Sequence, residues 1–211
     1  ADTYDASDDS LPLIPEPYLS LMLKAGAVRG PGFYWRFKES VKNPTGDPVV
    51  VRERGGKLQV LVIERSDMPG KYALPGGMED PGEKGVSAIF RELLEEAGVD
   101  LADVPFEVVF DHETDPSGGF VFGEPRISIN AAPAARAALI MPPADKTDRI
   151  QFKPAPDEVR SVGWIDANQE NLTMNRFGVS THARFIKLAI NRWQDRTGRV
   201  VAKDGSIGSP A

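Results

Sequence analysis

Cysteine is absent from all 211 residues, which excludes disulfides, zinc–thiolate sites and a cysteine nucleophile. No apolar run approaches the ~18 residues of a membrane span. The acidic opening Ala1-Asp2-Thr3-Tyr4-Asp5 lacks the basic and apolar regions of a signal peptide. A start at Ala1 in place of Met is expected to reflect trimming, which would hide any earlier targeting segment. Positive charge is in deficit as well: 25 Lys and Arg against 31 Asp and Glu give a net charge of −6 and a pI near 5.1. A nucleic-acid backbone is therefore not the expected partner, because that footprint is basic, and neither is a membrane. Internal repeats are missing too. What remains is ordinary globular chain, 41% hydrophobic and 27% charged, long enough to bury a sizeable core in one domain. The expected location is cytoplasmic. An acidic protein that handles phosphates must bring a metal or a local basic pocket.

The densest signal runs from Gly77 to Val99, where five glutamates and one arginine follow a Gly76-Gly77 turn. A helix opening near Gly85 and ending at Gly98 turns about 100° per residue. With Glu92 at about 0°, Glu96 falls near +40° and Glu95 near −60°. Val86, Ile89, Phe90, Leu93, Leu94 and Ala97 occupy roughly +60° to +200°, so an apolar face is predicted opposite an acidic one. Like charges at this spacing destabilise a helix, and the helix dipole disfavours them in its C-terminal half. A compensating cation is expected, and hard carboxylate oxygens suit Mg²⁺ or Mn²⁺.

Gly77, Glu83, Arg91, Glu92, Leu93, Glu95, Glu96, Gly98 and Val99 fit Gly-x5-Glu-x7-Arg-Glu-apolar-x-Glu-Glu-x-Gly-apolar without a gap. The run resembles the Nudix box of hydrolases acting on a nucleoside diphosphate linked to another moiety. That resemblance implies metal-dependent diphosphate hydrolysis. Glu92 and Glu96 would be the principal ligands, Glu95 a further one, and the Gly76-Gly77 turn a source of backbone carbonyl. Glu83 and Arg91 would hold the cluster in place from behind. The general base is open among Glu92, Glu124 and Glu158.

Around the box, residues 1–46 read as an N-terminal arm and flap, 47–198 as the hydrolase domain and 199–211 as a C-terminal tail. A short helix is predicted over Pro17 to Ala27, and an aromatic, turn-rich flap over Gly30 to Asp47. Strands are predicted at Val49 to Arg52, Leu58 to Glu64, Phe106 to Phe110, Phe120 to Phe122, Arg126 to Asn130 and Val159 to Ile165. Gly55-Gly56 reads as a hairpin turn, and Thr181 to Arg196 as a closing amphipathic helix. Residues 131–156, rich in Ala and Pro, are predicted to form a long loop carrying at most a short helix. The fold class is α/β, a mixed sheet between helices, which agrees with the α/β/α sandwich the Nudix resemblance implies.

The flanks are similar to the mitochondrial-type ADP-ribose pyrophosphatases, on Asn43 to Arg52, Ala73 to Lys84 and His182 to Leu188. This implies ADP-ribose plus water giving AMP and ribose 5-phosphate, with Asp115 and His182 touching substrate. Other substrates of such hydrolases stay open: NADH, dinucleoside polyphosphates, sugar nucleotides and oxidised nucleotides. So does a sensor that binds ADP-ribose without cleaving it. The family's Asp-Pro-Arg is Asp115-Pro116-Ser117 here, so an expected cation is missing, and Arg126 or Lys71 is the candidate replacement. His182 is also open to a structural reading, a helix-start histidine bonded to nearby backbone. His112 is expected to be exposed. The expected partner is a small nucleotide, bound by a monomer or homodimer.

Overall fold

One long strand, β3 (Val41–Arg54), pairs directly with three others of the sheet. The computed structural model describes residues 27–29, 35–37, 41–80, 82–83, 86–114 and 131–209. Two short strands, β1 (Ala27–Arg29) and β2 (Trp35–Phe37), pair with each other ahead of β3. β3 runs antiparallel to β4 (Lys57–Arg65) through the Gly55-Gly56 turn, where both glycines take positive φ. From Val41 to Val50 it pairs parallel with β8 (Ala131–Ile140), and at Thr45-Gly46 antiparallel with β6 (Gly77–Met78). β5 (Tyr72–Ala73) and β9 (Val159–Asp166) pair with β4, and β7 (Phe106–Asp111) with β8, completing a mixed seven-stranded sheet.

Helix α1 (Val86–Ala97) covers one face and α3 (Ser180–Thr197) the other; α2 (Ala144–Thr147) is a single turn. Successive strand residues feed opposite layers. Val49, Val51, Leu58, Val60, Ala135, Ala137 and Leu139 pack with Phe185, Ile186 and Ala189 of α3. Val50, Leu61, Ala138 and Ile140 pack with Ile89, Leu93 and Ala97 of α1. The sheet thus lies between helices, as expected. Helices α1 and α3 each end on a glycine, Gly98 and Gly198, at φ of 70° and 64°, a conformation that suits a residue without Cβ.

Part of the predicted loop at 131–156 is corrected: residues 131–140 form β8, and only the remainder is loop and α2. A strand buried on both faces shows no polar alternation, and alanine carries little strand preference. Small side chains are what a central strand needs where a helix lies on each side. β3 also starts earlier than the strand predicted at Val49. In the segment expected as a tail, β10 (Val200–Val201) and β11 (Ile207–Gly208) form a hairpin. It docks on the Gly55-Gly56 turn through Ile207 N–H to the Gly56 carbonyl, 2.8 Å, and Leu58 N–H to the Gly205 carbonyl, 3.0 Å. Residues 17–26 of the predicted helix, residues 30–34 and 38–40 of the aromatic flap and the strands at Phe120 and Arg126 lie outside the described residues. The flap expectation is corrected at Trp35–Phe37, which is β2, and from Val41 to Asp47, which belongs to β3.

Candidate active site

Close packing of α1 on β3 comes first. A Cβ on Gly46 would sit 2.7 Å from the backbone nitrogen of Ile89, so glycine lets the helix lie flush on the strand. The wheel is thereby corrected. Ala88, Ile89, Leu93, Glu96 and Ala97 are the buried residues of α1, while Leu94 is 51% exposed. The covered arc therefore runs from about −40° to +140° on the scale used above. Glu96 falls inside it and is 3% exposed.

The turn after β5 meets the helix here. Glu96 accepts the Gly76 N–H at 2.8 Å. A Cβ on Gly77 would fall 2.2 Å from Glu92 Oε1, so the missing side chain is what lets the Glu92 carboxylate lie against the turn. Burial raises the pKa of Glu92. Burial pushes Glu96 up to about 7, the Gly76 N–H opposing it and the neighbouring Glu92 charge adding to it. Both carboxylates line a cleft of about 480 Å³ with Gly76, Gly77, Arg91 and Glu158.

Arg91 gathers the other acids. Its guanidinium donates to Glu83 at 3.0 Å, Glu92 at 2.8 Å, Glu95 at 2.9 Å and the Met78 carbonyl at 2.7 Å. The bond from Arg91 holds Glu83 below the usual carboxylate range, and the same contacts raise the pKa of Arg91. Much of the repulsion expected along α1 is therefore neutralised within the protein. Glu95 turns toward Arg91 and is largely exposed. Among the described residues no three His, Asp or Glu side chains close around one point. The donor set that faces the cleft is two desolvated carboxylates beside a glycine turn, and hard oxygens of this kind fit Mg²⁺ or Mn²⁺.

The remaining expected residues divide. Glu158 lies at the cleft edge and is exposed; Lys71 instead donates to the Asn175 carbonyl. Asp115, Glu124 and Arg126 lie outside the described residues. His182, expected on substrate, is 8% exposed; its Nδ1 accepts the Leu74 N–H at 2.9 Å and its Nε2 lies 3.3 Å from Asp47 Oδ1. Both ring nitrogens thus face protein groups, although the backbone partner lies 108 residues away and not beside the helix start. His112 is corrected from exposed to buried, at 5%, because the β7–β8 ladder continues through its N–H to the Ala135 carbonyl. Sequence reasoning missed Asp47, buried beside the glycine turn, and Arg136, which pairs with Asp111 at 3.1 Å and Glu79 at 3.4 Å. An acid in Thr45-Gly46-Asp47-Pro48 looks like turn chemistry, and only its place within a buried strand reveals it.

A NUDIX-domain family profile matches residues 42–188. The chain belongs to the NUDIX family. It is 28% identical over 174 residues to the mitochondrial ADP-ribose pyrophosphatase of Rattus norvegicus, covering 71% of this chain and 48% of that protein. The chain therefore spans about half the length of that curated relative. A MutT/nudix family protein of Enterococcus faecalis superposes with a TM-score of 0.54 at 18% identity, over 87% of this chain and 70% of the other. The NUDIX domain of Shewanella oneidensis NrtR, crystallised with ADP ribose, gives 0.52 at 19%, over 86% and 99%. These likenesses show the NUDIX fold. No helix among the described residues is long and apolar enough to cross a membrane.

Proposed function

We propose that this NUDIX protein is a metal-dependent pyrophosphohydrolase whose substrate is ADP-ribose, cleaved with one water to AMP and ribose 5-phosphate. The observation that carries the reading is the pair Glu92 and Glu96, desolvated side by side against the Gly76-Gly77 turn in one cleft. Glu92, Glu96 and a carbonyl of that turn would hold Mg²⁺ or Mn²⁺, with Glu95 joining from the helix surface. When bound, such an ion supplies charge neutralisation at the diphosphate oxygens and acidifies a water. Arg91 keeps Glu92 aimed along the turn, and Glu83 fixes Arg91. Of the candidate bases among the described residues, Glu158 stands at the cleft edge apart from Arg91 and is the residue to which we give that role. Asp115 and Arg126 are proposed substrate contacts on the resemblance alone.

Support for ADP-ribose comes from the name of the rat relative and from the nucleotide bound to the NrtR domain. A non-cleaving sensor is disfavoured by the complete set Arg91, Glu92, Glu95 and Glu96. The test is product analysis with Mg²⁺ or Mn²⁺ on ADP-ribose, NADH, diadenosine polyphosphates, sugar nucleotides and 8-oxo-dGTP. ADP-ribose is expected to give the highest kcat/KM. A tenfold preference for another member would overturn the substrate and leave the class, and no turnover of any member would overturn both.

A further inference from the structure

The Leu74–Gly77 turn is clamped from three elements. β5 ends at Ala73, so the buried Leu74 N–H has left the ladder. It donates instead to His182 on α3, 108 residues away in sequence. Two residues on, Gly76 N–H goes to Glu96 of α1. A Cβ on Gly76 would sit 2.8 Å from both Asp47 Oδ1 and the Gly46 carbonyl of β3.

A backbone N–H can only donate, so the Nδ1 that receives it carries no proton. The neutral ring then holds its proton on Nε2, which faces Asp47 Oδ1 at 3.3 Å. Asp47 accepts the Thr45 hydroxyl on its other oxygen, also at 3.3 Å. Asp47 and His182 are 5% and 8% exposed. A carboxylate behind an imidazole selects the tautomer and fixes the ring; here the ring grips a backbone amide.

We infer that Asp47 and His182 are positioning residues that set the Gly76-Gly77 turn against Glu92 and Glu96. They act through the turn and touch neither ion nor nucleotide. The consequence for metal affinity rests on the metal-dependent reading above. Partners standing behind a metal site typically change affinity by about 10–100-fold when removed, which sets the expected size.

The full chain is titrated with Mn²⁺, followed by the electron paramagnetic resonance of the free ion, for the wild type, His182→Phe, His182→Asn, Asp47→Ala and Asp47→Asn. Amide hydrogen exchange at Leu74 is measured in parallel without metal. His182→Phe keeps a ring and loses the acceptor: Mn²⁺ affinity is expected to fall about 10–100-fold, and Leu74 exchange to rise at least tenfold (order of magnitude). His182→Asn and Asp47→Asn retain one oxygen acceptor each and should recover part of both effects; they also serve if the larger changes unfold the chain. KM for ADP-ribose at saturating metal should stay within about threefold of wild type. Unchanged Leu74 exchange in His182→Phe would overturn the inference. So would unchanged Mn²⁺ affinity with a raised KM, which makes His182 a substrate contact. If the wild type binds no Mn²⁺, the metal-dependent reading fails, and the exchange rates alone decide the clamp.

Discussion

Replacing Glu96 with glutamine should make the metal-free protein more stable and the enzyme nearly inactive. Burial raises the Glu96 pKa from its ordinary 4.5 to about 7. At about 1.4 kcal/mol per tenfold in acidity, ionising it in the folded state costs on the order of 3 kcal/mol. The sign follows from proton counting. Between pH 4.5 and about 7 the folded chain keeps a proton that the unfolded chain has released, so this stability contribution is intact below 4.5 and is lost as pH rises to about 7. Glutamine does not titrate, and its amide oxygen can still accept the Gly76 N–H. At pH 8 in chelator, Glu96→Gln should exceed the wild type by up to about 3 kcal/mol, roughly 6–12 °C in Tm for a chain of this size. At pH 4.5 the two should nearly coincide. Calorimetric melts at both pH values, with and without Mn²⁺, check this. Added Mn²⁺ should stabilise the wild type and not the variant, and turnover of the variant should fall by at least about a hundredfold. A pH-independent stability gap, or a variant less stable than wild type at pH 8 without metal, would refute the electrostatic argument. Turnover within about tenfold of wild type would remove Glu96 from the ligand set.

Arg91→Lys replaces a fork reaching three carboxylates and a carbonyl with a single ammonium. A loss of about 1–3 kcal/mol in urea unfolding is expected, and under ~0.5 kcal/mol would show that the network contributes little. Gly77→Ala should displace the Glu92 carboxylate, which lies 2.2 Å from the added Cβ; kcat should fall at least about tenfold with Tm within ~4 °C. Equal turnover would mean that the carboxylate does not need that position. Gly46→Ala meets helix backbone instead, at 2.7 Å from the Ile89 nitrogen. Overpacking of about 1–3 kcal/mol should appear as a lower urea midpoint, and an unchanged midpoint would mean that α1 can lift without cost.

The box and its helix were legible because nine positions at fixed spacing constrain one another. The depth of Glu96 was not. A helical wheel is centred by its apolar residues, and the close approach at Gly46 rotates the buried arc away from Leu94 and onto an acid. β8 escaped notice because Ala131 to Ala138 carries neither alternation nor strand-forming side chains; its strand state comes from pairing with β3. Asp47 was unremarkable as a residue in a turn-like tetrapeptide. Its significance is tertiary, created by His182 and Gly76 arriving from distant parts of the chain.

The parallel ladder between β3 and β8 joins residues 90 positions apart, from Val41 with Ala131 to Val50 with Ile140. Pairing of that range is slow, since the chain entropy of closing so long a loop is lost before contacts compensate for it. The box lies wholly inside the loop being closed, and α1 rests on Val50 from one side of the ladder and on Ala138 and Ile140 from the other. The seat of the acidic helix therefore does not exist until both strands have met. Divalent ions should consequently slow unfolding far more than they speed refolding, and a chain interrupted between β3 and β8 would carry every glutamate of the box and no site.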